Sequence, residues 1–208
     1  MVENIHNEFI KVLKKDISNR ISHNDLSRKI FLSYKTAVFK DDQETEYKIK
    51  SCIQERIKTP FSSIQVTGSS KTGFSFFNRT LFTIGVSDLD VSIINLDLYN
   101  SYLEAAHKET RGFTDLTKFP LFNQERTDKQ FLKNLQKGFI NPFYMPESQL
   151  KKNWLGFFRE ISNKYTNKFG SINGAIYASE YFFEQKQVEC IEEFERNTKA
   201  YDSLSGKV

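Results

Sequence analysis

Up to residue 58 the apolar positions recur at helical spacing, and neither Gly nor Pro interrupts them. Ile5, Phe9, Val12 and Leu13 form a first stripe, ahead of the charged Lys14-Lys15-Asp16. A second helix is predicted within Asp25 to Phe39, where Leu26, Ile30, Phe31 and Tyr34 share a face. A third runs from about Asp42 to Lys58 along Ile49, Cys52, Ile53 and Ile57, and Pro60 ends it by disfavouring helical geometry at Thr59. The period then changes to two. Phe61 to Thr67 alternates as a strand does and stops at Gly68-Ser69-Ser70; after a Phe-rich segment, Val86 to Ile94 reads as a second strand. Asp97 to Lys108 is a predicted helix and Arg111 to Glu125 a long connection. A short helix from Asp128 to Lys137 closes at Gly138. Asn141 to Pro146 makes a turn, with Pro146 suited to the first turn of a helix that reaches about Lys168. Leu150, Trp154, Phe157, Phe158 and Ile161 are that helix's apolar face. Ile172 to Ala178 is a third strand, Ser179 to Lys199 a last helix, and Tyr201 to Val208 is expected to fray. The pattern predicts an α/β (α+β) fold, a small mixed sheet flanked by N-terminal and C-terminal helices. Residues 1–208 read as one domain, with 1–58 as a helical arm and 61–200 as the core.

The 208 residues are 38% hydrophobic and 27% charged, a balance that buries a core and excludes disorder over the whole length. No stretch reaches the roughly 20 apolar residues of a membrane span, so no membrane partner is expected. The net charge of +4 is too small to mark a protein that coats DNA, yet it suits a phosphate-bearing partner. Cys52 and Cys190 lack metal-ligand spacing, and Met1 to Ile5 does not open a signal peptide. A cytoplasmic protein with reduced thiols is the expectation.

One segment carries chemistry. On a strand, residues two apart point to the same face about 6.5–7 Å apart, so Asp88 and Asp90 project together while Leu89 and Val91 face a core. Two neighbouring carboxylates repel each other unless a hard divalent cation lies between them. Mg²⁺ fits, because it takes a few carboxylates together with the phosphates of a substrate. Upstream, Gly68-Ser69 ends a strand and enters a helical turn. Gly68 lets the backbone approach a phosphate, the Ser69 hydroxyl can donate to one, and Lys71 is a candidate counter-charge to a triphosphate.

Gly68-Ser69 followed on the next strand by Ser87-Asp88-Leu89-Asp90 resembles the DNA polymerase beta-type nucleotidyltransferase superfamily. The resemblance covers residues 61–94 directly, and the helices predicted on either side also match. It implies that Asp88 and Asp90 bind Mg²⁺ (or Mn²⁺) and are catalytic, and that Gly68 and Ser69 hold the nucleotide, with Lys71 and Ser87 as further contacts. The implied reaction moves a nucleoside monophosphate from an NTP to a hydroxyl of RNA, protein or a small molecule. Small stand-alone members often sit in toxin–antitoxin or phage-defence modules, which would add a partner protein from the same operon. The alternative within the same fold is an inactive chain acting as a nucleotide sensor or protein-interaction subunit. Active members usually carry a third carboxylate on a later strand. Ile172 to Ala178 has no acid; Glu180 and Glu184 lie just beyond it, and Asp115 lies in the connection. The stretch from Phe74 to Val86 is longer than in minimal members and reads as a flap or a short extra helix.

Other features have two readings. Phe74, Phe76, Phe77 and Phe82 either pack in the core or stack on a base. Lys129, Lys133 and Lys137, four apart and near Arg126, form either a solubilising face or a contact for RNA or a triphosphate. A plain RNA-binding module would need that stripe to adjoin an aromatic platform, and it leaves the two aspartates unexplained. His6, His23 and His107 have no partner spacing and read as surface or packing residues.

Overall fold

The computed structural model describes residues 2–205, and side chains over residues 9–198, so the side chains of Ile5 and His6, and all of Met1 and residues 206–208, lie outside the described set. The alternating segments become a four-stranded mixed sheet in the order β1-β2-β6-β5. β1 (Ile64–Thr67) is antiparallel to β2 (Leu89–Ile94), which is parallel to β6 (Ile172–Tyr177). β5 (Phe139–Ile140) closes the far edge antiparallel to β6. The register sets Thr67 opposite Asp90, and Asp90 beside Asn173.

Strand alternation gives the sheet two unlike faces. Ile64, Val66, Leu89, Val91, Ile93, Ile172 and Ile176 lie on one, none more than 3% exposed. α3 (Gln43–Ile57), α5 (Leu96–Glu109) and α7 (Gln149–Lys164) cover this face through Ile53, Tyr102, Trp154 and Phe158. Their starts are fixed by side-chain caps: Asp42, Asn95 and Ser148 each accept a hydrogen bond from the backbone N–H three residues on. α7 presses closely on β6, since a Cβ at Gly174 would lie 2.4 Å from the Phe158 ring. The other face is polar at one end, with Thr67, Asp90, Ser92 and Asn173, and apolar at the other. The apolar end is covered by α1 (Val2–Ser18), α2 (His23–Ser27) and α8 (Glu180–Ser205), with Leu13, Leu26, Phe31, Tyr177, Phe183 and Ile191 in one cluster. Arg28 holds Glu184 of α8 with two hydrogen bonds of 2.7 and 3.0 Å. The helices of residues 1–58 therefore divide between the two faces of the sheet.

Several boundaries differ from the sequence expectation. Phe61–Ser63 is a 3₁₀ turn, so β1 begins at Ile64, and β2 begins at Leu89. The second helix starts at His23 and turns π-helical over Arg28–Ser33, where Tyr34 N–H reaches the Lys29 carbonyl. Phe74 to Val86 contains no helix; a β-bridge between Phe74 and Leu81 closes it as a loop. β5 and the hairpin of β3 (Leu121–Phe122) with β4 (Glu125–Arg126) were not expected, because two residues are too few to show a period. α8 extends to Ser205, through part of the stretch expected to fray. Among the described residues no helix is long and apolar enough to cross a membrane.

Candidate functional site

β1 runs into the one-turn helix α4 (Gly68–Thr72) through Gly68, whose φ of +64° belongs to the left-handed region. A Cβ there would lie 2.5 Å from Asp90 Oδ2, so only glycine lets this backbone lie against the carboxylate. The turn is fixed from within: Ser70 Oγ donates to the Thr67 carbonyl at 2.8 Å, and Thr72 Oγ1 to the Phe74 carbonyl at 2.7 Å. Ser69 is half-buried beside Gly68.

Asp88 precedes β2 by one residue, where strand-like pairing already holds: Leu89 N–H donates to the Ser171 carbonyl and Gly170 N–H to the Ser87 carbonyl. Asp88 Oδ1 accepts from Ser171 Oγ at 2.7 Å, and Ser171 Oγ in turn accepts from Asn173 Nδ2 at 2.8 Å. Asp88 and Asp90 thus share the polar end of one sheet face. Asp90 keeps contact with solvent, yet protein packs around it closely enough to push its carboxyl up to about 6, and the charge of Asp88 adds to the effect. A hard cation suits this pair. Two oxygen donors whose negative charges oppose each other, one crowded by protein, gain by sharing it. Among the described residues no group of three or more His, Cys, Asp or Glu gathers to hold a metal.

Asp90 and Gly68 border a cavity of about 220 Å³ between the polar end of the sheet and α8, which contributes Lys186 and Gln187; Asp88 lies beside it, joined through Ser171 to the lining residue Asn173. Lys186 is the one cationic side chain among the described residues that line this cavity; it also lies 3.2 Å from Glu189, which Lys137 holds at 2.6 Å. Sequence reading missed Lys186, since nothing along α8 marks it and only tertiary packing brings it over β2.

Two other candidates lie apart from this cavity. Lys71 is buried at 4% exposure and donates to the Tyr34 carbonyl, beside a different cavity. Ser87 Oγ accepts from Thr83 N–H at 2.9 Å and holds the preceding loop. The acids near the third strand are engaged elsewhere or remote. Glu184 is bound by Arg28, Asp115 accepts from Thr117, and the residue beside Asp90 on β6 is Asn173. Phe76 and Phe82 are buried, one in each cluster, whereas Phe77 is exposed. Phe77, Lys133 and Lys137 border a neighbouring cavity that shares Lys186 and Cys190 with the first, while Lys129 and Arg126 border a third beside Phe122.

The crowding of the Asp90 carboxyl by protein and by Asp88 has a stability consequence. The folded chain holds the Asp90 proton more tightly than the unfolded chain. Its stabilising contribution is therefore full below the ordinary value of 3.8 and is lost as the pH rises through about 6. Asp90→Asn is expected to raise the Tm at pH 8 in EDTA and to change it little at pH 3.5. Allowing for the solvent that reaches Asp90, the gain is about 1 kcal/mol, roughly 2–4 °C for a chain of this length. Thermal unfolding of both proteins at the two pH values checks it; an equal shift at both contradicts it.

No family model, curated protein or solved structure matches this chain.

Proposed function

We propose that this chain is a Mg²⁺- or Mn²⁺-dependent nucleotidyltransferase that moves a nucleoside monophosphate from an NTP to a hydroxyl acceptor. The observation that carries the reading is the packing of the Gly68 backbone directly against the Asp90 carboxylate, with Asp88 on the same face. A backbone turn whose residue types suit phosphate, beside a carboxylate pair that suits a cation, supports this reading. Asp88 and Asp90 would hold the metal, which supplies charge neutralisation to the triphosphate and acidity to the attacking hydroxyl. Gly68 and Ser69 bind the phosphates, and Lys186 adds positive charge at the α8 side of the cavity. In the reaction the acceptor oxygen bonds to the α-phosphorus, the bond to the β-phosphate oxygen breaks, and pyrophosphate and a proton leave. Ser171 and Asn173 orient Asp88 through their hydrogen-bond chain.

Asn173, where a third acid would stand beside Asp90, favours a second reading: a site that binds metal and nucleotide without turnover. Both readings are tested by incubating the chain with each α-labelled NTP, Mg²⁺ or Mn²⁺, and cellular RNA and protein, alongside Asp88→Ala/Asp90→Ala. Label transferred by the wild type alone supports the enzyme. Mg²⁺-dependent nucleotide binding that needs both aspartates, with no transfer, supports the second reading; no transfer and no Mg²⁺-dependent nucleotide binding removes both.

Gly68→Ala tests the packing itself. The added methyl displaces the Asp90 carboxylate, and the left-handed φ costs about 1 kcal/mol. Transfer is expected to fall about 100-fold, the effect of a small misplacement in a catalytic geometry, with a Tm only a few degrees lower. Unchanged transfer by a folded Gly68→Ala protein contradicts the assignment of the turn.

A further inference from the structure

The outer edge of β1 borders a larger cavity, about 540 Å³, which shares no lining residue with the Asp90 cavity. Lys71 projects into its wall, buried at 4% exposure. An ammonium has three donors, and the Tyr34 carbonyl is the sole acceptor that Lys71 reaches among the described residues. The nearby acid, Glu46, is already engaged: it accepts from Thr36 Oγ1 at 3.1 Å and pairs with Lys50 at 2.9 Å. Burial pushes the Lys71 amine down to about 8, with Lys50 lowering it further and Glu46 opposing, so it is still charged at neutral pH. A buried charge without a counter-ion is costly, and an anion entering the cavity removes that cost. Lys35 also borders the cavity, and Glu44 there is held by Lys48.

The rim points to the rest of the ligand. Tyr47 (58% exposed) and Phe61 (37%) stand there with ring centroids 6.0 Å apart, and the Lys50 ammonium lies 6.0 Å from the Phe61 ring. Paired rings left in solvent beside a cationic cavity suit the stacking of a flat heterocycle. The wall that delivers the Tyr34 carbonyl to Lys71 is the π-helical turn Arg28–Ser33, a rare conformation that recurs at functional sites.

We propose that this cavity binds a small phosphorylated ligand with a planar ring, the size of a mononucleotide, its phosphate on Lys71 and its ring on Tyr47 and Phe61. The volume lies within the range of small-molecule pockets. Lys71 sits on α4 three residues after Gly68, so this short helix carries a residue of each cavity. The inference is independent of whether the Asp90 site transfers nucleotides.

The test is titration calorimetry of the full chain in EDTA, which keeps metal-dependent binding at Asp88 and Asp90 out of the signal. The probes are AMP, GMP, CMP, UMP, ribose 5-phosphate and inorganic phosphate. At least one mononucleotide is expected to bind, with ribose 5-phosphate and phosphate at least about tenfold weaker for want of the ring. Lys71→Met is expected to weaken binding about tenfold or more, the effect of losing a charge-assisted hydrogen bond. Tyr47→Ala is expected to weaken it about fivefold or more, and Asp90→Asn to leave it unchanged. Should Lys71→Met not fold, Tyr47→Ala and Lys50→Gln at the exposed rim carry the comparison. The proposal is overturned if no mononucleotide binds at 1 mM (a concentration at which about 4 kcal/mol of affinity suffices). It is equally overturned if phosphate alone binds as well, if Lys71→Met and Tyr47→Ala both bind as the wild type does, or if Asp90→Asn abolishes binding.

Discussion

Asp88→Ala and Asp90→Ala are each expected to lower label transfer from an α-labelled NTP by about 10³-fold or more. The size follows from what a carboxylate ligand does in such a site: it holds the ion that offsets several kcal/mol of developing charge. The two substitutions differ in their structural cost, and that difference makes the test specific. Asp90→Ala removes a carboxyl that protein crowds and that Asp88 repels, so its Tm at pH 8 is expected to equal or exceed that of the wild type. Asp88→Ala releases one hydrogen bond from Ser171 at an exposed position, with a stability loss of about 1 kcal/mol or less. Activity that collapses while the fold persists assigns both residues to chemistry. Activity that follows the Tm assigns them to structure.

Phe183→Ala is expected to destabilise the fold by about 3–5 kcal/mol, near 10 °C in Tm. Phe183 is fully buried and meets Tyr177 of β6 edge-on at 5.5 Å, pinning α8 to the sheet face that carries the carboxylates. Truncation leaves a cavity between α8 and β6 that neither element can close without moving Lys186 and Gln187 away from the site. Phe183→Leu keeps most of the volume and is expected to cost less than half as much. Urea unfolding monitored by circular dichroism checks both; equal costs for the two substitutions contradict a packing role.

The parts of this molecule that are legible in its sequence are those whose signal is local and repeated. The stripe Ile49, Ile53, Ile57 and the alternation of Leu89, Val91, Ile93 report helix and strand directly, because each position repeats the preference of the one before it. The placement of Gly68 and Asp90 was legible too: glycine suits the turn that ends a strand, alternation sets the face of Asp90, and the register pairs Thr67 with Asp90. β5 and the β3–β4 hairpin were not legible, since strands of two residues show no period, and β5 in addition depends on β6, a partner distant in sequence. The direction of Lys71 was not legible either. A one-turn helix shows no period, and the side chain is placed by a carbonyl 37 residues earlier in the chain. Lys186 enters the site because Phe183 and Ile191 bind α8 to the sheet, a fact of packing with no local signature.

The measurement that tests the central claim most directly is Mn²⁺ binding, followed by electron paramagnetic resonance with and without a non-hydrolysable ATP analogue. The account predicts saturable Mn²⁺ binding by the wild type that tightens when the analogue is present and is lost in Asp88→Asn/Asp90→Asn. Equal Mn²⁺ spectra for wild type and double variant, with the analogue bound in both, contradict it.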